Sequence, residues 1–98
     1  MSVVLVIKAN VASYDHWRNT YDEAAPLRRD SGVLHDEIYC SPEDMTSVLV
    51  MQTFADVETA RSFASNPKLA ATMKAARVIG APHMTITQST EEVHPHKE

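Results

Sequence analysis

The sequence predicts an α+β domain in which a four-stranded antiparallel sheet carries its helices on one face, in the order βαββαβ. Three observations predict it. Four segments rich in Val, Leu, Ile and Thr are interleaved with two segments whose apolar residues recur at three- and four-residue steps. The two central strand-like segments are joined by a short turn, which makes them an antiparallel hairpin. The chain has 98 residues, enough for one domain and too few for two.

Each element has its own signal. Residues 2–9 form the first strand. The run of Val, Leu and Ile is too short to favour a helix, and it lacks the basic leader and cleavage site of a signal peptide. Ser13 is a helix N-cap, and Asp15 suits the first helical turn. Tyr14, Trp17, Tyr21, Ala24 and Ala25 make one helical face. Pro26 interrupts or restarts that helix, and Gly32 stops it. Residues 33–40 form the second strand, Ser41-Pro42-Glu43-Asp44 the turn, and Thr46 to Phe54 the third strand. Asp56 caps a second helix with Val57, Ala60, Phe63 and Ala64 on one face. Asn66-Pro67 breaks it, with Pro67 at the first position of its resumption, and Leu69, Ala70, Met73 and Ala76 continue the stripe. Gly80-Ala81-Pro82 stops the helix, and His83 to Gln88 alternates as the fourth strand. The domain is expected to span residues 1–90, and the charged residues 91–98, with Pro95, to form a flexible tail. This order is the ferredoxin-like one.

Strand side chains alternate between faces, so each strand divides into two sets. Val3, Leu5 and Ile7 oppose Val4, Val6 and Lys8. Leu34, Ile38 and Cys40 oppose His35, Glu37 and Tyr39. Leu49 and Met51 oppose Val48, Val50, Gln52 and Phe54. Met84 and Ile86 oppose His83, Thr85 and Thr87. The first set of each pair is expected under the helices. The second mixes valines with histidines, an acid and hydroxyls. A wet face would be mostly polar and a plain core wholly apolar, so this face is expected to be covered by a second subunit and to line a partly polar pocket.

Composition narrows the function classes. The net charge of −4 argues against a nucleic-acid footprint. A ferredoxin-like RNA reader would also need exposed aromatics on a basic face. No apolar run approaches the length of a membrane span. The single cysteine, Cys40, rules out an internal disulfide and fits a reducing compartment, so the cytoplasm is the expected location. With only Gly32 and Gly80 there is no glycine-rich phosphate loop. There is no zinc quartet and no Gly-x-Ser-x-Gly elbow. No cofactor and no metal is therefore expected.

The candidate chemistry lies on the second sets. His35 and His83 share the bare face on different strands, and an imidazole exchanges a proton near neutral pH, so they are the candidate acid/base groups. Glu37 could orient His35, or pair with Lys8 across an interface. Tyr39 offers a hydroxyl to a substrate carbonyl or phenolate. Gln52 and Thr85 are candidate substrate contacts on the same face. Trp17 and Tyr21, one helical turn apart, are candidates for an aromatic wall, against the plainer reading of helix-to-sheet packing. Arg28 and Arg29 fit as cations at a helix C-terminus. Cys40 is expected as an inert core thiol. Asp36-Glu37 and Glu91-Glu92 are expected as solvated pairs. His94 and His96 have metal spacing but no third ligand.

Trp17-Arg18-Asn19-Thr20-Tyr21-Asp22-Glu23, Pro26-Leu27-Arg28 and Ser31-Gly32-Val33, set in a βαββαβ order over residues 2–88, resemble the dimeric α/β-barrel superfamily. It includes the antibiotic-biosynthesis monooxygenase-like and small cyclase-like proteins. The resemblance implies a homodimer whose sheets face each other, with a pocket between sheet and helices or within the barrel. It also implies a cofactor-independent enzyme acting on a small aromatic or polyketide-like molecule, by monooxygenation or acid/base cyclisation. The alternatives are a non-catalytic small-molecule-binding or accessory dimer, and a haem-degrading monooxygenase. No branch-specific catalytic motif is matched, so the residue roles above rest on the sequence's own pattern.

Overall fold

The computed structural model describes residues 2–90. The elements run β1 (Val3–Val11), α1 (Tyr14–Glu23), α2 (Ala25–Asp30), β2 (His35–Cys40), β3 (Ser47–Phe54), α3 (Val57–Ala64), α4 (Pro67–Ala75) and β4 (Val78–Gln88). The sheet has the order β2-β3-β1-β4, and every neighbouring pair is antiparallel. The predicted α+β class and ferredoxin-like topology are those of the structure. The expected tail, with Glu91, Glu92, His94, Pro95 and His96, lies outside the described residues.

Local chemistry sets the helix boundaries. Ser13, Asp56 and Asn66 each accept a backbone N–H with the side chain at the start of α1, α3 and α4. Each expected helix is two. Pro26 is the second residue of α2 and Pro67 the first of α4, positions where a missing N–H costs nothing. α2 ends at Gly32, as its residue type predicts. The Val33 N–H donates to the Arg28 carbonyl (3.0 Å) and the Gly32 N–H to that of Arg29 (3.3 Å), with Gly32 at φ 92°. This is the Schellman closure.

The end of α4 differs from expectation. The helix stops at Ala75, and β4 begins at Val78 rather than His83. The stop is Arg77, left-handed at φ 60°, a conformation a sequence reading assigns to glycine. Gly80-Ala81-Pro82 instead sits inside β4. Between the pairs Lys8↔His83 and Asn10↔Ile79, β1 advances two residues and β4 four, which makes a bulge there.

The core lies between the sheet and the helices. Val3, Leu5, Ile7 and Val11 of β1 pack with Phe54, Phe63, Ala60 and Leu69. The Phe54 and Phe63 rings lie 5.7 Å apart. β1 obeys the expected alternation, but β3 reverses it. Val48, Val50, Gln52 and Phe54 are buried under the helices, while Leu49 and Met51 are half-buried on the other face. The pairing decides this. Leu5 stands opposite Gln52 and Ile7 opposite Val50, so those residues share the helix-side face. Cys40 is exposed rather than a core thiol, and Leu34 is 69% exposed. Leu34 immediately precedes β2 and Cys40 ends it, on an edge strand of the sheet.

The bare face is a grid of three rows, read across β2, β3, β1 and β4. The rows are Tyr39-Leu49-Lys8-His83, Glu37-Met51-Val6-Thr85 and His35-Thr53-Val4-Thr87. Its two central columns are mostly apolar and its outer columns wholly polar.

Gly32 carries the sharpest steric demand. A Cβ there would stand 2.8 Å from Thr59 Cγ2, whereas one on Gly80 (φ 70°) would meet nothing. Gly32→Ala should therefore cost about 2–3 kcal/mol and Gly80→Ala about 1 kcal/mol. Urea unfolding of the two variants checks this, and equal losses would remove the Thr59 contact as the cause.

Candidate active site

A cavity of about 50 Å³ opens between the sheet and the helices. Its floor is Ile7, Val48, Val50 and Gln52 of β1 and β3. Trp17 and Tyr21 of α1 form one wall, and Leu69 and Met73 of α4 face them. The Trp17 ring stands between Tyr14 (5.8 Å) and Tyr21 (5.1 Å), so the helical stripe is an aromatic stack with one side on the cavity.

One end of this apolar space is polar. Tyr21 Oη donates to Asp36 Oδ2. Arg28 Nε lies 3.3 Å from the same oxygen, and the guanidinium sits 3.6 Å above the Tyr21 ring. A further Arg28 N–H donates to the Tyr21 carbonyl. Gln52 Nε2 donates to Tyr21 Oη at 3.4 Å. Gln52 is 2% exposed, and its Oε1 has no partner among the described residues. Burial above all, and then the hydrogen bond to Asp36, push the Tyr21 phenol up to about 12, against smaller opposing effects of Gln52 and Arg28. At neutral pH this hydroxyl is a donor and not a base.

The sequence-derived candidates divide between the two faces. Trp17, Tyr21 and Gln52 line the cavity. Gln52 therefore stands on the face opposite the one expected, because β3 is reversed. His35, Glu37, Tyr39, His83 and Thr85 lie on the bare face. Tyr39 Oη donates to Glu37 Oε2 (2.7 Å), and His35 Nε2 is 3.9 Å from Glu37 Oε1. The Glu37 hydrogen bond raises the Tyr39 phenol above its ordinary value. His83 stands opposite Lys8 and Thr85 opposite Val6. His35 and His83 occupy opposite edge strands with two strands between them, roughly 14 Å across the sheet. One subunit does not bring them together. The cavity and these five bare-face candidates are thus separated by the thickness of the sheet.

Two members of the polar cluster escape a sequence reading. Arg28 looks like a helix-end cation and Asp36 like half of a solvated acid pair. A signal for Asp36 exists, because it shares the alternation of Ile38 and falls on the helix side of β2. Arg28 has none, since its partner is set by the angle between α2 and the sheet. Among the described residues, no group of three or more His, Cys, Asp or Glu side chains could hold a metal ion. No described helix is long and apolar enough to cross a membrane.

No protein-family model and no curated protein matches the chain. Solved structures do. SnoaB, a cofactor-independent oxygenase from Streptomyces nogalater, superposes with a TM-score of 0.76 at 11% identity, over 94% of this chain and 96% of its own. A monooxygenase from the ActVA-Orf6 gene of Streptomyces coelicolor, in complex with nanaomycin D, superposes with a TM-score of 0.67 at 16% identity, over 97% and 93%. The chain therefore has the ferredoxin-like fold of these oxygenase structures.

Tyr21 makes the cluster visible to alkali. Its folded pKa lies above the ordinary 10.0, so its stabilising effect is complete below pH 10 and is lost as pH rises toward about 12. Tyr21→Phe should be less stable at neutral pH by about 1 kcal/mol. The gap should narrow between pH 10 and 12 in urea unfolding. A gap that stays constant across that window would contradict a buried, donating Tyr21.

Proposed function

We propose that this chain is a cofactor-independent enzyme that binds a small aromatic or polyketide-like molecule in the helix-side cavity and acts on it by monooxygenation or acid/base cyclisation. The observation that carries the reading is the cavity itself, an apolar space walled by Trp17 and Tyr21 with a hydrogen-bonding end at Gln52 and Tyr21. Aromatic walls suit the face of a flat ring once a wall gives way to admit it, and the polar end fixes its orientation. The fold shared with SnoaB and the ActVA-Orf6 monooxygenase supports the same general chemistry as an analogy. An oxygenation without a cofactor draws its electrons from the substrate's own deprotonated ring. The protein's part is to hold the ring dry and to move a proton. Asp36 is one hydroxyl away from the cavity through Tyr21 and is the nearest carboxylate for that proton.

The working form in this reading is a cytoplasmic homodimer. Val4, Val6, Leu49 and Met51 form an apolar centre framed by polar columns, the make-up of an interface core and rim. The His35-Glu37-Tyr39 chain of contacts favours a second reading, in which the paired sheets enclose the substrate. There His35 or His83 transfers the proton, Tyr39 hydrogen-bonds the substrate, and Glu37 and Thr85 contact it.

Turnover of aromatic polyketide substrates with and without oxygen separates the chemistries, since only monooxygenation needs oxygen. With the cavity as the site, Tyr21→Phe should lower kcat/KM about tenfold or more, while His35→Ala and His83→Ala leave it within about threefold. The opposite pattern would move the site to the bare face. Absence of turnover, with ring binding retained, would leave the accessory-dimer alternative. A Soret shift on haem titration would favour haem degradation. Size-exclusion with light scattering should give a dimer at micromolar concentration, and Val6→Asp, at the centre of the grid, a monomer.

A further inference from the structure

We propose that Gln52 sets the polarity of the ligand: its Oε1 accepts a hydrogen bond from a hydroxyl or N–H group on an otherwise apolar ring, so rings offering only acceptors are disfavoured. The inference rests on the cavity being the binding site and adds which functional group that site selects.

The direction follows from counting protons. The Arg28 guanidinium has donors only, and the Asp36 carboxylate accepts from it and from Tyr21. Tyr21 has one hydroxyl proton, and it is committed to Asp36. Tyr21 Oη can therefore only accept toward the cavity, and it accepts from Gln52 Nε2. Turning the Gln52 amide over would set Oε1 against an oxygen with no proton to give. The chain of donors thus runs from Gln52 to Tyr21 to Asp36, and the amide oxygen is left over. Gln52 is 2% exposed, and Oε1 is the buried side-chain atom with no partner among the described residues.

A buried acceptor without a donor is costly. A ligand donor that reaches Oε1 offsets that cost without losing the apolar walls. The apolar lining disfavours a cationic donor, whose charge would lose its water on entry, which leaves a neutral hydroxyl or N–H. Size adds a second limit. The cavity of about 50 Å³ is smaller than the ~150 Å³ that holds one benzene ring. Admitting a ring requires a wall to move, and Met73 is the unbranched, flexible one.

Phenol, anisole and toluene are the probes, because they share a ring and differ in the group offered. Affinities are read from amide and Trp17 indole shifts in protein NMR. Phenol should bind more tightly than anisole to the wild type, and the phenol-to-anisole ratio should fall about tenfold in Gln52→Leu. Tyr21→Phe removes only the hydroxyl that orients the amide, so the ratio should fall there too, through tighter anisole binding. That variant also decides the matter should Gln52→Leu fail to fold. A ratio that is unchanged in the variants, or near one in the wild type, overturns the polarity assignment and leaves the cavity as the site. No shift at any cavity residue with any probe overturns both.

Discussion

A pleated strand has two faces, and this chain has helices for only one of them. Alternation in β1 makes the constraint concrete. Val3, Leu5 and Ile7 go under the helices, and the next residues along, Val4 and Val6, must go to the other side. β3 repeats it with Val48 and Val50 against Leu49 and Met51. Both central strands therefore carry apolar side chains on both faces, as strands covered on two sides do. The cavity is a consequence of the cover on one side, where α1 and α4 close over the sheet. The apolar grid is a consequence of its absence on the other.

On the covered side the polar cluster is the exception that the core has to accommodate. Replacing Gln52 by an apolar residue of similar shape would remove an orphaned acceptor that costs about 1–3 kcal/mol. The fold instead supports it with Tyr21, Asp36 and Arg28. Those supports come from three elements, α1, β2 and α2. The Schellman closure at Gly32 also belongs to this arrangement. It ties the Arg28 carbonyl to the Val33 N–H and so fixes the backbone from which the guanidinium reaches over Tyr21. Desolvation concentrated around one unsatisfied atom marks a place shaped for something other than stability.

Much of this was legible in the sequence, and the failures have specific causes. Ser13, Asp56, Asn66, Pro26, Pro67 and Gly32 each act through chemistry confined to a few neighbouring residues, and each stands where that chemistry puts it. The alternation of β1 and β2 is readable because Lys8 marks the outer set of the one and Ile38 the inner set of the other. In β3 both sets are largely apolar, and Gln52 points to the wrong answer, because a buried amide is the rarer case. Only the pairing Leu5↔Gln52 decides, and pairing register is a property of two strands. Arg77 misled for a related reason. Its left-handed backbone is imposed by the return of α4 to the sheet edge, against the preference of its residue type. Asp36 and Arg28 are separated in sequence by a turn and joined in space by the angle of α2.

The bare face has its own geometry, and it limits what any partner could do there. A two-fold pairing of identical faces must lay the same patch on itself. If the apolar columns β3 and β1 meet their counterparts, the β2 column, His35, Glu37 and Tyr39, and the β4 column, His83 and Thr85, are carried to the rim. There the separation of roughly 14 Å within one copy no longer decides whether an imidazole and a phenol can share a ligand, because the second copy supplies another set. Each copy already brings His35, Glu37 and Tyr39 into one line of contacts without help. The cavity, by contrast, is complete in a single chain. Dissociating the pair by a change at Val6 would therefore affect the two faces differently. Ligand binding that survives in the monomer belongs to the helix side, and binding lost with the dimer belongs to the face between the sheets.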